Sequence, residues 1–299
     1  MNAVTKNHDA IIIGAGPAGV SCAVWLARLG LKPVLLEASD TVGGLCRGNP
    51  FVDEWNASLP GMTGIQVADN LALSLRQANV PVLLSCPVRS VRSSADGFVV
   101  DGNGFSEVLQ ARHLVLATGV RARGLEGQET RGIKADGVLV GPGAHIVAQD
   151  FSGLRVAVLG GGDNALENAL YAQGRGAAHV HVYARSLRAQ KQFIRRMAPG
   201  NIVQGSYQVN AAARTVNGRS YDVIMVFYGW EPCVEFAAEL PLQRSAQGFI
   251  ATGLNAETSC AGVYAIGEVA QRQHPCVVTA LADGVVVAKA IQARIESRE

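Results

Sequence analysis

Three glycines spaced G-x-G-x-x-G, namely Gly14, Gly16 and Gly19, stand directly after the apolar run Ala10–Ile13. The chemistry this spacing suits is anion binding by the backbone. Gly14 permits a tight strand exit, Gly16 lets main chain approach a pyrophosphate, and Gly19 lets helix and strand pack closely. Ala15, Pro17 and Ala18 fill the turn without bulk. The helix that follows adds unpaired N–H groups and a partial positive charge. Glu37 closes a second apolar run, Pro33–Leu36, 18 residues after Gly19. A carboxylate there accepts hydrogen bonds from ribose hydroxyls. Strand, glycine turn, helix, strand and acid, in that order, make the opening of a dinucleotide site.

A second turn of the same kind follows Arg155–Leu159. It reads Gly160, Gly161, Gly162, Asp163, Asn164, Ala165, with Ala165 in the third small position. The strand expected at His179–Tyr183 runs into Ala184, Arg185 and Ser186, with Arg188 close behind, and not into an acid. Guanidinium groups suit a phosphate dianion. That points to NADPH, with NADH left as an option. Lys191, Arg195 and Arg196 nearby keep open the plainer reading of surface arginines.

The six cysteines, Cys22, Cys46, Cys86, Cys233, Cys260 and Cys276, include no C-x-x-C pair. Neither a disulfide scaffold nor a zinc site is indicated. Cys46 follows Gly43-Gly44. Cys276 opens the last helical stretch, where a helix N-terminus lowers a thiol pKa. Each reads equally as a small packed residue. His145 has the pKa range of a proton donor near neutrality, or a structural role.

These residues need elements to hold them. The 299 residues are 48% hydrophobic, enough for about two domains. Helices are expected at 20–29, 65–78, 166–173 and about 276–295. Pro275 sits at a favoured start of the last. Strands are expected at 82–84, 88–91, 98–100, 113–119 with a turn at its end, 223–227 and 262–266. Net charge is +2, with acids and bases mixed along the chain. No basic stripe suggests nucleic acid, and no apolar run is long enough to span a membrane. Met1–Asp9 lacks a signal-peptide pattern, so a cytoplasmic, reducing setting is expected.

Taken in order, IIIGAGPAGVSCAVWLARLG (11–30 with the turn), Val42-Gly43-Gly44-Leu45, LVLATG (114–119), RVAVLGGGDNALENAL (155–170), Gly229 to Pro232 and GVYAIGEVA (262–270) resemble the thioredoxin-reductase-like flavoproteins over nearly the whole chain. The resemblance implies an α/β fold of two Rossmann-like domains of the three-layer ββα type. A nicotinamide-nucleotide domain (119–242) would be inserted into a discontinuous FAD domain (1–118 and 243–299), and the chain would be a homodimer. It implies FAD contacts from Gly43, Gly44, Leu45, Trp55, Val88, Ala117, Thr118, Gly119, Gly267, Glu268, Cys276 and Val277, beside the first turn and Glu37. It also implies a dithiol just before the second turn, where Gly137–His145 holds no sulfur. The expected activity is therefore electron transfer from NADPH through FAD to an external acceptor: a ferredoxin, flavodoxin or iron–sulfur enzyme. Two alternatives stay open. One is disulfide chemistry through the flavin or through Cys46 or Cys276; the other is an FAD-binding subunit without turnover.

Overall fold

The computed structural model describes residues 6–104, 108–125, 136–272 and 274–297. The chain divides into two compact units. One comprises Met1–Val120 with Glu231–Glu299, the other Arg121–Trp230.

The first unit begins with β1 (Lys6–Ile13), α1 (Pro17–Arg28) and β2 (Pro33–Leu36), followed by α2 (Gly64–Gln77), β3 (Val82–Leu83), β4 (Val88–Ser94), β5 (Gly97–Gly102) and β6 (Leu109–Leu116). The crossing into the second unit is β7 (Val120–Ala122). There the chain forms β8 (Val138–Val140), α3 (Ala144–Ala148), β9 (Arg155–Leu159), α4 (Asp163–Gly174), β10 (His179–Ala184), α5 (Lys191–Ile194) and β11 (Ile202–Gln204). A small antiparallel ribbon follows: β12 (Val209–Asn210), β13 (Thr215–Val216) and β14 (Arg219–Ser220). Then come β15 (Val223–Val226) and the return crossing β16 (Trp230–Pro232), which pairs with β7. The first unit closes with β17 (Val263–Ala265) and α6 (Val277–Glu296).

In the first unit β1 lies between β2 and β6 with parallel register on both sides, and β17 adds parallel to β6. The hairpin β4–β5 joins antiparallel at the start of β6. In the second unit five parallel strands run β11-β10-β9-β15-β8. Each glycine turn therefore leaves a strand at which the order reverses. In open α/β sheets that is where ligands bind.

Both sheet faces are covered, so β1 reads as a continuous apolar run. Alternate residues serve opposite cores. Ala10 and Ile12 face the layer of α1, α2 and α6, while Ile11 and Ile13 join Leu36, Val91 and Phe98. At Gly284 helix α6 crosses α1 so closely that a methyl group would come within 2.6 Å of the Cys22 nitrogen and 2.7 Å of the Ala18 oxygen.

One expectation differs from the structure. The return to the first unit falls at Glu231, not at 243. The reason is packing: Val234, Ala237 and Leu240 are buried in the first unit's core beside Leu36 and Val91. Helix α6 starts at Val277 with Cys276 as its N-cap and Pro275 just before it, within a residue of the expected start. The Cys276 thiol accepts from the Thr279 N–H, and the Thr279 hydroxyl accepts from the Cys276 N–H, a reciprocal cap that sets the start. Among the described residues no helix is long and apolar enough to cross a membrane.

Candidate functional site

The first turn is built as its spacing requires. Gly14 has φ +104°, and a methyl there would overlap the Ala117 carbonyl. A methyl on Gly19 would overlap the Gly14 carbonyl, while the space in front of Gly16 is open. Pro17 begins α1, so Ala18 and Gly19 present first-turn N–H groups that have no acceptor inside the helix. Glu37 lies at the end of β2. Its carboxylate accepts from the Ala15 N–H and the Ser39 N–H, both at 2.8 Å. A carboxylate has about four acceptor positions, so two such bonds leave room for ribose hydroxyls.

The Gly43-Gly44 element is fastened to this turn. The Gly43 N–H donates to the Ala15 carbonyl at 2.9 Å. A methyl on Gly44 would meet the Gly16 Cα at 3.1 Å, and one on Gly43 would overlap Ala68. Arg47 holds the element from behind, bonding the Val42 carbonyl and pairing with Asp69 at 2.7 Å. Leu45 and Trp55 are 50% and 73% exposed, large apolar groups without protein cover. Next to Trp55, Asn56 is buried, and its Nδ2 has no partner among the described residues. Open space at Gly16, bare apolar side chains and an unsatisfied buried donor together fit a flat, polar-edged cofactor.

On the other side, Ala117, Thr118 and Gly119 follow β6. The Thr118 hydroxyl donates to the Cys233 carbonyl at 2.6 Å. Val88 starts β4 and is half-buried. Gly267 and Glu268 follow β17. Burial pushes the Glu268 carboxyl above its ordinary range. Burial first, then the charges of Asp53 and Glu268, push the Cys46 thiol up to about 11. Glu268, Cys276, Thr279 and Asp283 line one small cavity. Among the described residues no disulfide joins the cysteines.

Asp283 was not signalled by any motif, yet it organises this corner. Its carboxylate accepts from the Gly267 N–H at 3.1 Å and from Arg272 at 2.7 Å, and Arg272 also donates to the Leu254 carbonyl. The Arg272 and Asp283 side chains are only 12% and 8% exposed. A lone acid inside the apolar stretch Val277–Val287 is the signal that could have found it.

The second turn repeats the logic. A methyl on Gly160 would overlap the Phe227 carbonyl and one on Gly161 the Ser186 carbonyl, while Gly162 faces open space. Asn164 and Ala165 continue into α4, with Ala165 fully buried. The loop carrying Arg185 and Arg188 folds back onto the turn. The Arg188 and Ala189 N–H groups donate to the Gly161 carbonyl at 2.6 and 2.9 Å. Asp163 accepts from the Gln190 N–H and side chain. Both arginines are exposed.

His145 is half-buried on α3 with its Nε2 3.0 Å from the Gly141 carbonyl. Burial lowers its pKa, opposed by the carbonyls of Gly141 and Val140. Facing a carbonyl oxygen, the Nε2 donates to backbone. A second histidine, His181, sits in a network that no motif announced. Arg219 donates to its Nε2 at 2.9 Å, Tyr221 lies 3.2 Å from its Nδ1, and Tyr221 meets the Tyr183 hydroxyl at 2.7 Å. Among the described residues no group of three or more His, Cys, Asp or Glu could hold a metal ion.

Two glycine turns, each leaving a parallel strand at which the strand order reverses, stand where open α/β sheets bind ligands. The chain belongs to the pyridine nucleotide-disulphide oxidoreductase family, whose model matches residues 8–284. It is 25% identical over 314 residues to thioredoxin reductase of Coxiella burnetii, covering 95% of each chain. It is 28% identical over 295 residues to ferredoxin–NADP reductase of Acidiphilium cryptum, covering 90% of this chain and 86% of the relative. The crystal structure of Lactococcus lactis thioredoxin reductase superposes with a TM-score of 0.80 at 25% identity, over 97% of this chain and 99% of that one.

Proposed function

We propose that the protein is an NADPH-dependent FAD oxidoreductase that delivers electrons from the flavin directly to an external acceptor. The observation that carries this reading is the pairing of two complete glycine turns with the absence of any C-x-x-C in the sequence. The sulfur-free stretch Gly137–His145 instead forms β8 and the short helix α3. Relatives named ferredoxin–NADP reductase support a protein acceptor such as a ferredoxin, flavodoxin or iron–sulfur enzyme.

In this reading the Gly14–Gly19 turn and Glu37 hold the adenosine diphosphate half of FAD. Leu45, Trp55, Cys276 and Val277 border its ring, and Glu268 holds its ribityl chain. Gly160–Ala165 seat the NADPH pyrophosphate, and Arg185 and Arg188 bind its 2′-phosphate. When bound, FAD supplies the redox chemistry, accepting hydride from NADPH and releasing electrons singly or in pairs. The chain contributes position and charge. Cys46 stays a protonated thiol because its pKa is raised, so it is a poor nucleophile.

Anaerobic stopped-flow mixing with NADPH tests the reading. FAD should bleach rapidly, and a one-electron carrier should restore it. The double variant C46S/C276S should keep full turnover. Reoxidation by disulfides alone, or loss of turnover in the double variant, would contradict a flavin-only route.

A further inference from the structure

The near-neutral sequence conceals a separation of charge between its two units. Residues 121–230 hold thirteen of the 26 Lys and Arg but only seven of the 24 Asp and Glu. The second unit is therefore +6 and the first −4. The mixing along the chain read from the sequence does not survive folding into units.

Five of the thirteen cations fall within twelve residues: Arg185, Arg188, Lys191, Arg195 and Arg196. All five are exposed, and none is ion-paired with a described residue. Their display is rigid. Phe193 and Met197 are buried in the second unit's core and pin the segment from inside. Gln190 ties its start to Asp163 at 2.7 Å. With 193 and 197 turned inward, Lys191, Arg195 and Arg196 are left on the outside. A 2′-phosphate needs Arg185 and Arg188 at most, so three cations exceed what the nucleotide requires. Unpaired like charges held close together repel one another, a cost that an anionic partner relieves.

We infer that the exposed face formed by Lys191, Arg195 and Arg196 is the docking surface for the electron acceptor, and that this acceptor is an acidic one-electron carrier protein. The inference rests on the proposed function and narrows its acceptor class. Charge complementarity of this kind sets encounter rate and partner choice, and it weakens with salt.

The test uses the FAD-loaded protein and two probes of opposite charge: an acidic [2Fe–2S] ferredoxin and the basic protein cytochrome c. Binding is measured directly, without turnover, alongside NADPH-dependent reduction of each probe. Ferredoxin affinity should fall at least about tenfold in R195E/R196E, and also in wild type as salt shortens the Debye length from ~30 Å to ~3 Å. Cytochrome c should not lose affinity in the variant. The KM for NADPH should stay within about twofold, since neither residue contacts the glycine turn. K191A/R195A/R196A, which adds no new charge, should show the same direction more weakly. Circular dichroism and bound FAD report whether each variant is folded.

Unchanged ferredoxin affinity in folded variants, or salt-independent binding, overturns the docking surface. So does a DNA duplex that binds this face more tightly than ferredoxin. Failure of the proposed function reads differently. Ferredoxin would then bind with the charge dependence above yet stay oxidised, or NADPH would leave the flavin oxidised.

Discussion

At the scale of single residues, Glu37 carries the most for its size. Its carboxylate braces the first turn through Ala15 while standing where ribose hydroxyls should arrive. A hydrogen bond to a charged group is worth about 1.5–3 kcal/mol. Glu37→Ala should therefore weaken FAD binding by roughly tenfold to a hundredfold, read from quenching of flavin fluorescence on titration. Glu37→Gln keeps shape and one acceptor and should lie between. A null effect in both would remove the ribose assignment. Of the residues named from the sequence, the glycines were the most legible. Their chemistry is steric and local, so neighbouring letters suffice to state it. Cys276 was legible only as a residue at a helix start. That its thiol would serve as the cap depends on Thr279, a reciprocity that spacing does not distinguish from coincidence.

At the scale of elements, the clasp of Arg272 and Asp283 joins the Gly267–Glu268 turn to α6. Breaking a buried ion pair by removing one member costs about 3–5 kcal/mol. Arg272→Met should lower stability by that order in urea unfolding, with Asp283→Leu added to it recovering part of the loss. Equal stability of wild type and single variant would mean the pair is effectively solvated. The second unit has its own pH dependence. His145 and His181 are held below the ordinary value of 6.5, chiefly by burial. Arg219 and His179 depress His181 further, and Tyr221, Tyr183, Arg155 and Asp222 stand around the same network. Between the unfolded and folded pKa values the unfolded chain binds more protons, so stability falls as pH drops below about 6.5. The thermal midpoint should decline on that limb, and H145Q/H181Q should flatten it; an unchanged slope would assign the acid sensitivity elsewhere. The buried strands β2 and β9 were legible as short apolar runs, each ending at a recognisable acid or glycine turn. The ribbon β12–β14 was not, because two-residue strands have no period to read.

At the scale of the whole molecule, the order of the two nucleotide turns and the fold class followed from the sequence, while the return point at Glu231 did not. Its determinants, Val234, Ala237 and Leu240, pack with Leu36 and Val91, residues distant from them in sequence. The charge separation was equally hidden, since it exists only once the chain is divided into units. The discontinuity of the first unit has a bearing on synthesis. The second unit is one continuous stretch, complete once Trp230 has been made. The first is begun earliest, but β17 must still reach β6, pairing Val263 with Leu114, and Gly284 must still settle against Ala18 and Cys22. On the ribosome, then, the unit started first is the last to mature. Until α6 emerges, the apolar back of α1 stays uncovered, and exposed apolar surface of that kind is prone to aggregate.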